Sequence, residues 1–139
     1  MDKKYNTVVT FGTYDLFHIG HLNILERAKR LGNNLVVGVS SDDLNYSKKE
    51  KYPVYPQEHR MKIVSALECV DWVFLEESLE KKKEYLVTVN ADCLVMGDDW
   101  QGKFDWCKDV CDVVYLPRTA NISTTEIKEF LAGNESKAI

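Results

Sequence analysis

Short apolar runs alternate with helical repeats along this chain of 139 residues, and that alternation restricts the possible folds more than any other feature. Strands are expected at 7–11, 35–40, 72–75, 93–96 and 113–116, where apolar and β-branched residues cluster. Helices are expected at 20–31, 57–69, 79–89, 104–111 and 124–131. Leu35-Val36-Val37-Gly38-Val39 is almost continuously apolar, which suits a strand covered on both faces. Strand–helix alternation with right-handed crossovers gives an α/β, doubly wound parallel sheet of five strands. Ligands then bind beyond the carboxyl ends of the strands, at the switch point. The length fits one domain over 1–139, with 1–6 and 133–139 expected to fray.

Val8-Val9-Thr10-Phe11-Gly12-Thr13-Tyr14-Asp15-Leu16-Phe17-His18-Ile19-Gly20-His21 carries the chemistry. The strand breaks at Gly12, two histidines follow, and Leu22, Leu25, Ala28 and Leu31 then recur at helical spacing. Both imidazoles therefore fall where a strand ends and a helix begins, where free N–H groups favour an anion such as phosphate. Gly12 and Gly20 are read as places where a ligand approaches the backbone. A His-x-x-His pair also serves as plain turn residues or as metal ligands. A metal needs further ligands, and no nearby Cys or His supplies them. The strand before the pair and the glycine within it favour phosphate.

Composition narrows the class. Apolar residues make up 45% and charged residues 29%, as in a soluble globular protein. A net charge of −4 gives no general attraction to nucleic acid, so anion binding must come from locally placed Lys and Arg. The chain holds no apolar stretch of membrane-spanning length, and its start, Met1-Asp2-Lys3-Lys4-Tyr5-Asn6, lacks a signal-peptide pattern. A cytoplasmic protein without membrane insertion is expected. Cys69, Cys93, Cys107 and Cys111 form no Cys-x-x-Cys pair and are read as reduced structural thiols, although Cys107 and Cys111 can share a helix face. The stretch 41–56, with Lys48, Lys49 and Lys51 beside Pro53 and Pro56, is expected to be an irregular mobile loop, either a solvated surface or a basic flap over phosphates.

Three motifs carry a resemblance. Gly12 to His21 resembles the HxGH motif of the nucleotidyltransferase superfamily. Arg118-Thr119-Ala120-Asn121-Ile122-Ser123-Thr124-Thr125 resembles that superfamily's second nucleotide-binding segment, the ISTT signature. Between them, Met96-Gly97-Asp98-Asp99-Trp100-Gln101-Gly102-Lys103-Phe104-Asp105 is similar to a segment of the glycerol-3-phosphate cytidylyltransferases. The likeness runs from about residue 7 to 131 and implies a Rossmann-like HxGH nucleotidyltransferase fold. Each motif follows an expected strand, so all three should converge on one crevice.

The resemblance implies transfer of a cytidylyl group from CTP to glycerol 3-phosphate by direct in-line attack, with Mg²⁺ bound mainly through the triphosphate. The acceptor phosphate is already an anion, so such a reaction needs positioned donors and cations rather than a strong base. His18, His21, Arg118 and Lys48 are the implied catalytic groups. Implied nucleotide contacts are Gly12, Thr13, Tyr14, Asp15, Ile19, Gly20, Lys51, Gly97, Asp99, Thr119, Ile122, Ser123, Thr124 and Thr125, together with His18, His21 and Arg118. Lys48 and Lys82 match family lysines that contact the acceptor, and Lys51 or Lys49 matches one that contacts CTP. Lys82 equally fits an exposed helix face within Glu80-Lys81-Lys82-Lys83-Glu84. Asp15 is open between orienting an imidazole, binding substrate hydroxyls and helping to hold Mg²⁺; no protein metal site is expected. Ser123-Thr124-Thr125-Glu126 also reads as a simple helix cap. Trp100, Phe104 and Trp106 either wall the pocket or pack in the core.

The chain departs from the family at two positions. Glu68 stands where the cytidylyltransferases carry an arginine near the active centre or the subunit contact, and Asn121 replaces a usual glycine. The resemblance also implies a homodimer. Two alternatives accompany the main reading: a sibling enzyme using phosphoethanolamine, a sugar phosphate or ATP, and a nucleotide-binding regulatory module without turnover.

Overall fold

A computed structural model describes residues 3–120 and 122–133. The strands are β1 (Tyr5–Gly12), β2 (Gly32–Ser40), β3 (Trp72–Glu76), β4 (Cys93–Gly97) and β5 (Asp112–Leu116). The helices are α1 (Ile19–Arg30), α2 (Asp42–Lys49), α3 (Gln57–Ser65), α4 (Lys82–Thr88) and α5 (Thr124–Leu131). All neighbouring strands run parallel, in the order β3-β2-β1-β4-β5. The order reverses between β1 and β4, so the crevice at the switch point opens above their carboxyl ends.

Strand pleating divides the apolar residues between two cores. Val8 of β1 packs with Leu25 and Ala28 of α1 and Val64 of α3, while its neighbour Val9 packs with Leu86 of α4, Phe104 and Cys107. Val37 and Val36 of β2 part in the same way. Both faces are therefore covered, and the central strands read as unbroken apolar runs for that reason. Each fully buried Val or Leu contributes about 1.5–3 kcal/mol.

Several boundaries differ from expectation. The stretch 41–56 is not simply irregular, because α2 forms within it. Ser41 caps this helix by accepting from the Leu44 amide at 3.0 Å. Asp42 and Asp43 lie in its first turn and Lys48 and Lys49 in its last, matching the helix dipole. The expected helix at 104–111 is a single short 3-10 turn, Asp105–Cys107, followed by hydrogen-bonded turn, instead of a continuous helix. The Tyr115 hydroxyl accepts from the Phe104 amide at 2.9 Å and donates to Asp105 at 2.8 Å, which pins the chain there. α3 stops at Ser65, four residues before the expected end, because the chain must turn to bury Val70 and let the Asp71 amide reach the Leu35 carbonyl at 2.9 Å. β1 begins at Tyr5, inside the segment expected to fray, since its amide donates to Leu31 and its hydroxyl to Asp112. Of the termini expected to fray, 1–6 and 133–139, residues 1–2 and 134–139 lie outside the described residues, as does Asn121.

Candidate active site

The loop after β1 turns sharply before α1 begins. Tyr14 and Leu16 both adopt left-handed backbone, with φ of 57° and 48°. His18 is then the N-cap of α1. Its Nδ1 accepts from the Gly20 amide at 3.0 Å, and Nδ1 of His21 accepts from the His18 amide at 3.2 Å. The two imidazoles thus form a reciprocal capping box in which histidines replace the usual hydroxyl and carboxylate. They stack with ring centroids 3.8 Å apart.

This geometry fixes a tautomer. An imidazole nitrogen that accepts a hydrogen bond carries no proton, so in both rings the proton sits on Nε2. Each ring therefore offers an Nε2–H donor on the edge away from the backbone. Both rings are also held neutral. Burial drives the pKa of His21 down from 6.5 to about 3, helped by His18 and opposed by Asp15. The edge of Tyr14 and the ring of Phe17 complete its dry surroundings. His18 is lowered first by burial and then by the positive charge of Arg118. Arg118 lies exposed on the loop after β5, the strand whose following segment contacts α1 through Thr119.

The glycines have a reason within the protein itself. A Cβ on Gly20 would lie 2.8 Å from His18 Cε1, and one on Gly12 would lie 2.7 Å from the Tyr14 ring. The open space belongs to the protein's own rings, which could not fold back over larger residues. Ile122 packs over Gly20 as well, which brings the late segment against the histidine loop. Thr119 accepts from Asn23 of α1 at 3.0 Å. Ser123 caps α5 through the Glu126 amide at 3.1 Å, as the simple cap reading expects, and the Thr124 hydroxyl donates to the Asp15 carbonyl at 2.8 Å. Thr125 is exposed beside them. Gly97 ends β4 near Ile24, with the Asp99 carboxylate folded back over it.

A second charged group lies at the carboxyl ends of β2 and β3. Lys82 is not on an exposed helix face: it is 1% exposed and pairs with Glu76, equally buried, at 2.8 Å. Its ammonium also sits 3.7 Å from the Phe11 ring centroid and 4.7 Å from that of Phe104. Ser40 donates to the other Glu76 oxygen at 3.1 Å. Lys48, at the end of α2, reaches the same neighbourhood. Partial desolvation lowers its pKa, Lys49, Lys82 and Arg60 lower it further, and Glu76 opposes them. Lys51 and Lys49 are exposed beyond it. Of the aromatics, Phe104 is buried in the core, while Trp100 and Trp106 remain exposed.

Three residues that hold the site escaped the sequence reading. Arg60 of α3 is fully buried and donates to the carbonyls of Thr13, Ser40 and Tyr55 at 2.8, 2.8 and 3.0 Å, and to Asp42 at 2.7 Å. Asn45 of α2 accepts from the Thr13 hydroxyl at 2.8 Å. Glu76 is the third. The one available signal was spacing, since Arg60 and Val64 share a helix face. Asp15, expected near a ligand, has its carboxylate turned into the protein: it accepts from the amides of Val54, Tyr55 and Leu16. Among the described residues no group of three or more His, Cys, Asp or Glu is placed to hold a metal.

A doubly wound sheet with neutral imidazole donors at its switch point and cations along the carboxyl ends of its strands defines a nucleotidyltransferase-type α/β protein. The chain belongs to the cytidylyltransferase-like family, whose pattern matches residues 9–130. It is 52% identical over 126 residues to the glycerol-3-phosphate cytidylyltransferase of Bacillus subtilis (strain 168), covering 91% of this chain and 97% of that one. It is 42% identical to the glycerol-3-phosphate cytidylyltransferase of Staphylococcus aureus (strain NCTC 8325 / PS 47), covering 94% and 98%. Among solved structures, the lipopolysaccharide core biosynthesis protein of Thermoplasma volcanium GSS1 shares the fold, with a TM-score of 0.70, 24% identity and coverage of 82% and 98%.

Proposed function

We propose that this enzyme transfers the cytidylyl group of CTP to glycerol 3-phosphate, releasing pyrophosphate and CDP-glycerol by direct in-line attack. The observation that carries the reading is the His18–His21 capping box. It holds two uncharged Nε2–H donors and the free amides of α1 at one point, where a triphosphate's growing negative charge would be met without proton transfer. Neutral imidazoles suit an acceptor that arrives as a phosphate anion, because no base is needed to activate it. Arg118 serves the nucleotide phosphates, Thr119, Ile122, Ser123 and Thr125 line the nucleotide side, and Gly97 and Asp99 border the base and ribose. Lys48, Lys49 and Lys51 supply positive charge from the side of α2 towards the acceptor phosphate, while Lys82, buried against Glu76, supports that wall from within.

In this reading Mg²⁺ enters as the counter-ion of CTP, held by the triphosphate oxygens. Four free cysteines suit a reducing cytoplasm. A homodimer is supported by the exposed apolar side chains of Trp72 on edge strand β3, Ile63 on α3, and the nearby Val54 and Tyr55. Sedimentation of the free protein reads this directly, and a monomer at micromolar concentration argues against it.

The function is tested with four nucleoside triphosphates against several phosphorylated alcohols, following pyrophosphate. CTP with glycerol 3-phosphate is expected to exceed every other pairing by at least 100-fold in kcat/KM. Equal use of ATP or phosphoethanolamine would replace the assignment with a sibling activity, and no release from any pairing would leave a nucleotide-binding module.

A further inference from the structure

Asp15 lies between the two residues of left-handed backbone, Tyr14 and Leu16. Bulky side chains resist this region, and such strain persists only where surrounding contacts over-determine it. Asp15 supplies many of those contacts. Its carboxylate is buried; Oδ2 accepts from the Val54 amide at 2.7 Å, and Oδ1 accepts from the amides of Tyr55 and Leu16 at 2.9 and 3.1 Å. The Lys128 ammonium of α5 stands 3.9 Å from Oδ2. The Asp15 carbonyl accepts from the Thr124 hydroxyl. From the opposite side, Arg60 donates to the carbonyls of Tyr55 and Thr13. The 54–55 segment is therefore fastened to the histidine loop in both directions.

Three pieces of chain meet at this one side chain: the loop that leads to His18, the segment after α2 that carries Lys51, and the first turns of α5. A carboxylate whose oxygens already take three backbone N–H groups has little capacity left for a ribose hydroxyl or a cation. We propose that Asp15 is a positioning residue that locks the histidine loop, the lysine-bearing segment and α5 into one register, and that it contacts neither nucleotide nor metal. The proposal deepens the cytidylyl-transfer reading and rests on it for its effect on turnover.

The test uses the full chain carrying Asp15→Asn, whose amide N–H₂ would oppose either the Val54 donor or the Tyr55 and Leu16 donors. The expected result has three parts. The amides of Val54 and Tyr55 exchange with solvent at least tenfold faster. kcat per folded enzyme falls at least tenfold. The half-saturating Mg²⁺ concentration changes less than twofold. Unchanged exchange at Val54 and Tyr55 overturns the proposal. So does activity restored by high Mg²⁺, which would make Asp15 a cation ligand. So does a 2′-deoxy-CTP penalty that is present in the wild type and absent in the variant, which would make it a ribose contact. Should Asp15→Asn fail to fold, Thr124→Val reads the same junction from α5. There the Ile127 amide is expected to exchange at least tenfold faster with a matching loss of kcat, and protection equal to wild type contradicts the lock. Exchange is read without turnover, so a wild-type chain inactive on CTP and glycerol 3-phosphate would sink the functional reading while leaving the lock to be decided.

Discussion

His18 and His21 each do two jobs with two nitrogens. Nδ1 closes the helix start and leaves Nε2 protonated, so the structural role selects the tautomer that the proposed chemistry would use. His21→Ala should therefore separate the two. Loss of a cap costs about 1 kcal/mol of stability, whereas loss of a donor to developing phosphate charge costs about 3–4 kcal/mol of barrier. Thermal unfolding is expected to shift by a few degrees while kcat drops by about 10²–10³-fold; equal losses in both would reduce the residue to a cap. The same pair makes folding sensitive to acid. The His21 pKa is depressed to about 3 in the folded chain, against 6.5 in the unfolded. The unfolded state takes the proton first, so this contribution to stability is complete above pH 6.5 and declines as the pH falls toward 3. Urea unfolding between pH 7 and 5 should give stability rising with pH, with a shallower slope in His21→Asn; identical slopes would mean that the ring titrates normally.

At the scale of elements, β3 and α4 are joined by a buried ion pair. Desolvation lowers the pKa of Lys82, and Glu76 is its main support. Glu76→Gln leaves a buried ammonium without its counter-charge and is expected to cost about 3–5 kcal/mol in urea unfolding. Adding Lys82→Met should recover much of that. A cost below about 1 kcal/mol in the single variant would mean that water already reaches the pair. This pair also marks where legibility ended. Apolar runs located the five strands, because burial on both faces leaves a continuous signal. The 41–56 stretch read as a loop because its lysines and prolines hid a short capped helix, and 104–111 read as a helix because buried Phe104 and Cys107 mimic its period. Arg60, Asn45 and Glu76 are polar residues buried by partners distant in sequence, and no local pattern reports a partner 20 or 47 residues away.

Across the whole molecule, the sheet order brings the loops after β1 and β5 to one end, and direct contacts join them: Asn23 with Thr119, Thr124 with Asp15, and Ile122 with Gly20. The motifs were legible because each follows a strand, and parallel strands deliver their ends to one edge. What the sequence could not give was the direction in which each side chain points, and Asp15 turns away from the crevice. The central claim is that two neutral imidazoles present Nε2–H donors to the triphosphate. ¹⁵N spectra of histidine-labelled protein at pH 7 measure this most directly. His18 and His21 should both be the neutral Nε2–H tautomer, and CTP should move both Nε2 resonances. A protonated or Nδ1–H ring in the free protein, or resonances that CTP leaves in place, would contradict the account.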